Sequence, residues 1–123
     1  MMAPRVLIVS GDQWPRALIR SALRELGYDA VGTRGLESAM RISADEPGRG
    51  TVKLIVVEQS ALGGNAALVR ELLARHGRPA TLLLAHATSA PSPGQWTSVM
   101  RRPFSVDAVV QAVATLLPLA SEP

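Results

Sequence analysis

The chain has 123 residues, a formal net charge of +3 and no cysteine. One domain with its own core fits that length, and the absence of thiols excludes disulfides, thiolate metal sites and cysteine nucleophiles. Hydrophobic residues at 47% and charged residues at 19% exclude general disorder.

The first element is a strand: Arg5–Val9 is a continuous apolar run, as expected when both faces are buried. Asp12 sits where a helix N-cap belongs, and Pro15 suits a first turn. Leu18, Ile19, Ala22, Leu23 and Leu26 then recur at helical spacing up to Gly27, a left-handed C′ residue. Residues 28–31 read as a short strand, and residues 36–42 as a weaker helix with Leu36, Ala39, Met40 and Ile42 on one side. Residues 45–50, Asp-Glu-Pro-Gly-Arg-Gly, are a loop by composition.

Residues 53–57 form the second buried strand, with Glu58 directly at its C-terminal end. Asn65 after Gly63-Gly64 caps a helix carrying Leu68, Val69, Leu72 and Leu73, which Gly77 closes. Ala80–Ala85 is a third buried strand. Pro91, Pro93 and Gly94 make residues 87–95 a loop, and residues 96–100 a last short strand. Ser105 caps the final helix, with Asp107 in its first turn and Val106, Val109, Val110, Val113, Leu116 and Leu117 on its buried face; Pro118 stops it. The tails, residues 1–4 and 121–123, are expected to fray.

Strand and helix alternate five times with one helix reduced to loop. Short connections in that pattern imply parallel strands and right-handed crossovers. The expected fold is α/β, a single-domain doubly wound five-stranded parallel sheet, with ligands placed outside the strand C-termini. The domain is residues 1–123, its core about 5–117. No run approaches 18 apolar residues, and the first apolar stretch is too short for a signal-peptide core, so the chain reads as cytoplasmic, with no membrane partner. Twelve of the 13 basic residues are arginine, which sets a pI near 10.6. They stand singly apart from Arg101-Arg102, and aromatic residues are only 3%, so nucleic-acid binding is not expected.

Four motifs in order carry a resemblance. They are Val6-Leu7-Ile8-Val9 with Arg16 seven residues on, Leu26-Gly27-Tyr28, Leu54-Ile55-Val56-Val57 ending in an acid, and Arg102-Pro103-Phe104 before the last helix. From Arg5 to Leu117 the chain resembles a response-regulator receiver domain of two-component signalling, whose last motif is Lys-Pro-Phe. The resemblance implies the strand order 2-1-3-4-5. It implies a site with two acids holding Mg²⁺, an aspartate accepting a phosphoryl group, a Ser or Thr, a lysine and a switch aromatic.

This sequence departs at each position. The acid pair falls on Ser10 and Gly11; the neighbouring Asp12 is either a partial substitute or, as the better fit, a helix cap. The phosphoacceptor position holds Glu58, one methylene longer, and an error of about 1 Å can cost ~100-fold in a direct attack. Glu58 is a solvated strand-end acid, a fixed negative charge imitating the phosphorylated state, or an ion-pair partner. The Ser/Thr position falls on Leu84 or Ala85, with His86 close by as a loop histidine or a pocket residue. Arg102 takes the lysine position, and its planar fork suits a carboxylate. A Glu58–Arg102 contact across the intervening Leu84 is therefore expected. Val99 takes the switch-aromatic position and cannot swing as a ring does. Trp96 is expected in the core, and Trp14 partly exposed beside the pocket.

These departures imply a degenerate, or pseudo-, receiver: not an enzyme, with no catalytic residue, no metal site, no cofactor and Mg²⁺ binding lost or weak. It acts through a protein partner in a bacterial-type signalling pathway, with homodimerisation through the first or last helix as one form. The alternatives are a phosphate-accepting regulator using Asp12 with Glu58 or His86, and a small-molecule or anion sensor using the vacated pocket.

Overall fold

The computed structural model describes residues 3–87 and 96–119. Six strands and four helices are present among them: β1 Arg5–Val9, α1 Gln13–Leu26, β2 Asp29–Thr33, α2 Leu36–Met40, β3 Asp45–Glu46, β4 Gly50–Glu58, α3 Ala66–Arg75, β5 Ala80–Ala85, β6 Ser98–Arg101 and α4 Val106–Leu116. The sheet runs β2-β1-β4-β5-β6, every neighbouring pair parallel. With β3 set aside this is the expected 2-1-3-4-5 order.

Alternation along each strand splits the core in two, because successive side chains leave a strand on opposite faces. Val6, Ile8, Leu54, Val56, Leu82 and Leu84 pack with Ile19 and Leu23 of α1 and Val109, Val110 and Val113 of α4. Leu7, Val9, Ile55, Val57, Leu83 and Ala85 pack with Leu36 and Ala39 of α2 and Val69 and Leu72 of α3. Two covered faces explain why β1, β4 and β5 read as unbroken apolar runs.

Several boundaries move. β2 starts at Asp29, because the Tyr28 N–H is spent closing α1: it donates to the Leu23 carbonyl at 3.0 Å, behind left-handed Gly27 at φ 108°. α2 ends at Met40, two residues early, where the Ile42 N–H turns back onto the Ala39 carbonyl. The expected loop at residues 45–50 contains β3, a two-residue antiparallel strand against Gly50 and Thr51, so β4 begins three residues before Lys53. Gly48 and Gly50, at φ 82° and 80°, take the left-handed backbone of this hairpin. The last strand is Ser98–Arg101, and Trp96, half-buried, packs against the α2/α3 face as expected. Pro4, expected to fray, accepts the Asp29 N–H at 2.9 Å. Most of the 87–95 loop and the tail at 121–123 lie outside the described residues.

Candidate functional site

The C-terminal ends of β1, β4 and β5 bring the predicted residues together. Glu58 closes β4, pairs in register with Leu84 of β5 and continues the Leu54–Val56 row toward α1 and α4. That row is covered, so Glu58 is 1% exposed. It is a buried acid and not the solvated strand-end group that the sequence also allowed.

Burying a carboxylate is costly unless its oxygens are met. Here they are. Oε1 accepts hydrogen bonds from Ser10 Oγ at 3.1 Å and Ser60 Oγ at 2.9 Å, and Oε2 accepts one from Arg102 Nη2 at 2.7 Å. The expected Glu58–Arg102 contact is present. Arg102 is placed for it by its own N–H, which donates to the Ala85 carbonyl at 3.1 Å just past β6. Its guanidinium also lies 5.7 Å from the centre of the Phe104 ring.

The other predicted residues divide. Ser10 is buried and belongs to the site. Gly11 is exposed and contributes no side chain. Asp12 precedes α1 as an N-cap residue should, yet its side chain makes no capping bond. Its carboxylate lies 4.0 Å from Arg102 Nη2 instead, and two-thirds of the side chain is exposed. Asp12 is thus the N-cap residue of α1 by position and backbone, as expected, but without the side-chain bond of a cap, and its carboxylate stands free enough to line the groove. Leu84 shares the Glu58 face, whereas Ala85 belongs to the opposite one, which removes Ala85 from the pocket. The His86 N–H donates to Gln59 Oε1 at 2.8 Å, and the groove wall here is Ala87. Val99 is 39% exposed on the edge strand.

Two supports escaped the sequence reading. Ser60 completes the Glu58 carboxylate from a 3₁₀ turn that carries no periodic signal. Arg16 Nη1 donates to the Ser10 carbonyl at 2.8 Å, holding the β1–α1 turn. Its stem crosses β2 at Gly32, where an added Cβ would sit 2.8 Å from Arg16 Cγ.

Above the ion pair lies an open groove of about 760 Å³, lined by Asp12, Gln13, Trp14, Pro15, Glu58, Ala87, Arg102, Pro103 and Phe104. Trp14 stands at its rim with 77% of its surface exposed. Magnesium requires several hard oxygen donors in near-octahedral array. Ser10 and Gly11 offer no carboxylate, and the Glu58 oxygens are already taken by two hydroxyls and a guanidinium. No group of three metal-binding side chains occurs among the described residues. The donor set does not fit that ion.

A second buried polar cluster lies at the other end of the sheet. Arg5, 2% exposed, donates through Nη1 to the carbonyls of Ser43 at 3.1 Å and Gly50 at 2.7 Å. Arg49 beside it binds both oxygens of Asp29 at 2.8 and 2.9 Å and also Glu46 at 2.8 Å. That hydrogen bonding holds the Asp29 carboxyl below its ordinary pKa. Burial, then the charges of Arg75 and Arg5, hold His76 below its own, with the Ala39 backbone opposing.

The fold is that of response-regulator receiver domains. A receiver domain protein from Bacillus halodurans is 16% identical with a TM-score of 0.74, the match covering 96% of this chain and 100% of that one. Chemotaxis protein CheY4 from Vibrio cholerae is 16% identical with a TM-score of 0.73, covering 95% and 100%. A response regulator from Burkholderia pseudomallei with a phosphorylated aspartic acid, a calcium ion and citrate is 15% identical with a TM-score of 0.67, covering 94% and 67%. No family model matches the chain, and no curated protein sequence does. No helix among the described residues is long and apolar enough to cross a membrane.

Proposed function

We propose that this chain is a receiver-like signalling domain that works without phosphorylation, through contact with a protein partner in the cytoplasm. One observation carries the reading: the Glu58 carboxylate is buried and ion-paired, 2.7 Å from Arg102 and held by Ser10 and Ser60. Glu58 stands in the phosphoacceptor position, Arg102 in the lysine position, Ser10 and Gly11 in the acid-pair positions, Leu84 in the Ser/Thr position and Val99 in the switch-aromatic position. A nucleophile must have a free lone pair aimed at its target and room for in-line approach. Glu58 is poorly suited to this: three of its roughly four lone-pair sites accept hydrogen bonds and its charge is paired with an internal guanidinium. The missing hydroxyl at Leu84 and the exposed aliphatic Val99 remove the remaining parts of a phosphate-driven switch. The domain is read as no enzyme, with no cofactor and weak or absent Mg²⁺ binding.

Incubation with acetyl phosphate and Mg²⁺, followed by intact-mass measurement, tests this directly. The expected result is an unchanged mass, and an unchanged mass also for Arg102→Lys. A stable gain of one phosphoryl group on the unaltered protein overturns the reading.

A further inference from the structure

The groove above the ion pair has a composition of its own. Three charged residues line it: Asp12, Glu58 and Arg102. Arg102 is neutralised by Glu58 at 2.7 Å, and Asp12 lies farther off, at 4.0 Å, with most of its side chain in solvent. The sum is one net negative charge, located at Asp12. The positive end of α1, roughly half a unit of charge, reduces this without reversing it. An anion such as phosphate therefore meets a carboxylate at the mouth and a guanidinium already committed below.

The walls are apolar: Trp14, Pro15, Ala87, Pro103 and Phe104. Phe104 already has a cation over its ring, the Arg102 guanidinium at 5.7 Å. Trp14, 77% exposed, has no such partner among the described residues. Indole is the best of the aromatic faces for a cation. The volume, about 760 Å³, lies within the range of pockets that take small organic molecules, roughly 300–1,000 Å³.

We propose that this groove binds a small organic cation with a flat body, its positive group between the Asp12 carboxylate and the Trp14 indole, its body along Pro103 and Phe104. The ligand class is an aromatic amidine, guanidine or ammonium compound, and binding is non-covalent. Such a ligand supplies the input that phosphorylation supplies elsewhere; the inference rests on the phosphorylation-independent reading given above.

Three isosteric probes test it: benzamidine, neutral benzamide and anionic benzoate, each titrated into the ¹⁵N-labelled full chain and followed by the Trp14 indole N–H signal. Benzamidine is expected to give a saturable shift, with benzamide at least about 5-fold weaker and benzoate giving none. Asp12→Asn keeps a good helix-capping residue and removes the charge; it should weaken benzamidine about 5-fold and leave benzamide unchanged. Trp14→Ala, read through a neighbouring amide, should weaken benzamidine about 3-fold. Both side chains are mostly exposed, so the fold is expected to persist, which circular dichroism checks. Equal or stronger binding of benzoate, no saturable shift with benzamidine, or no effect of Asp12→Asn overturns the proposal. The acetyl phosphate experiment separates the two readings. Phosphorylation removes both, whereas an unlabelled protein that ignores benzamidine removes this one alone.

Discussion

Two charged side chains are buried at opposite ends of the same sheet and are satisfied in different ways. Arg5, where β1 enters, is met by two backbone carbonyls, Ser43 and Gly50, with the Glu46 carboxylate at 3.7 Å. Glu58, where β4 leaves, is met by two hydroxyls and the guanidinium of Arg102. The first arrangement ties down the chain: Arg5 closes the β3–β4 hairpin and the segment after α2 onto the sheet. The second ties down only side chains, and one of them, that of Arg102, is 45% exposed. Carbonyl ligation makes the entry end a structural clamp. Side-chain ligation makes the exit end a place where charge can be rearranged without moving the backbone.

The largest expected effect is therefore at the entry end. Arg5→Met strands two carbonyls and removes two charge-assisted hydrogen bonds, with an expected loss of about 3 kcal/mol in urea unfolding. Arg102→Ala leaves a carboxylate in the interior, but solvent can reach the space a half-exposed side chain vacates. About 2 kcal/mol is expected, below the usual cost of breaking a fully buried pair. If Arg102→Ala proves more damaging than Arg5→Met, the contrast between clamp and rearrangeable site fails. The double change Glu58→Leu with Arg102→Met sharpens it, since replacing a buried pair by apolar groups is often close to neutral. Stability within about 1 kcal/mol of the original is expected for that variant.

Helix caps give a smaller measure. Asn65 and Ser105 accept N–H bonds from Leu68 and Ala108, both at 3.0 Å. Changing either to Ala should cost about 1 kcal/mol. Asp12 makes no such bond, so Asp12→Ala should cost a few tenths, about 0.3 kcal/mol, by thermal melting. The smallest effect is in pH dependence, and it belongs to the entry end. His76 has a folded pKa below its ordinary 6.5, so the unfolded chain binds its proton first. Stability should fall as pH drops through 6.5 and level off below the folded value. His76→Phe should flatten that slope. Asp29, also lowered, adds a second loss only below its ordinary 3.8.

Much of this molecule is legible in its sequence, for identifiable reasons. β1, β5 and most of β4 are apolar on both faces, and Asn65 and Ser105 announce α3 and α4 by caps that the structure forms. The Glu58–Arg102 contact followed from strand order, since one strand separates the two and an arginine spans it. β3 was illegible because two residues carry no periodicity and their neighbours, Pro47, Gly48 and Gly50, all signal a turn. Asp12 was placed correctly as the residue before α1, but a capping side chain and a groove-lining acid look alike in sequence; only the absent cap bond distinguishes them. Ser60 had no pattern to betray it, and Arg16, although part of the first motif, gave no sign in sequence that it would hold the Ser10 carbonyl.

Gly32 illustrates a wider consequence. It bears no functional group and touches neither acid nor base of the groove, yet any side chain there would collide with the Arg16 stem and free the Ser10 carbonyl. A mutational scan would rank Gly32 among the intolerant positions and invite a chemical role for it. Its intolerance is mechanical, a tax levied by one arginine's route across the sheet, and ought to vanish when Arg16 is shortened to alanine in the same molecule.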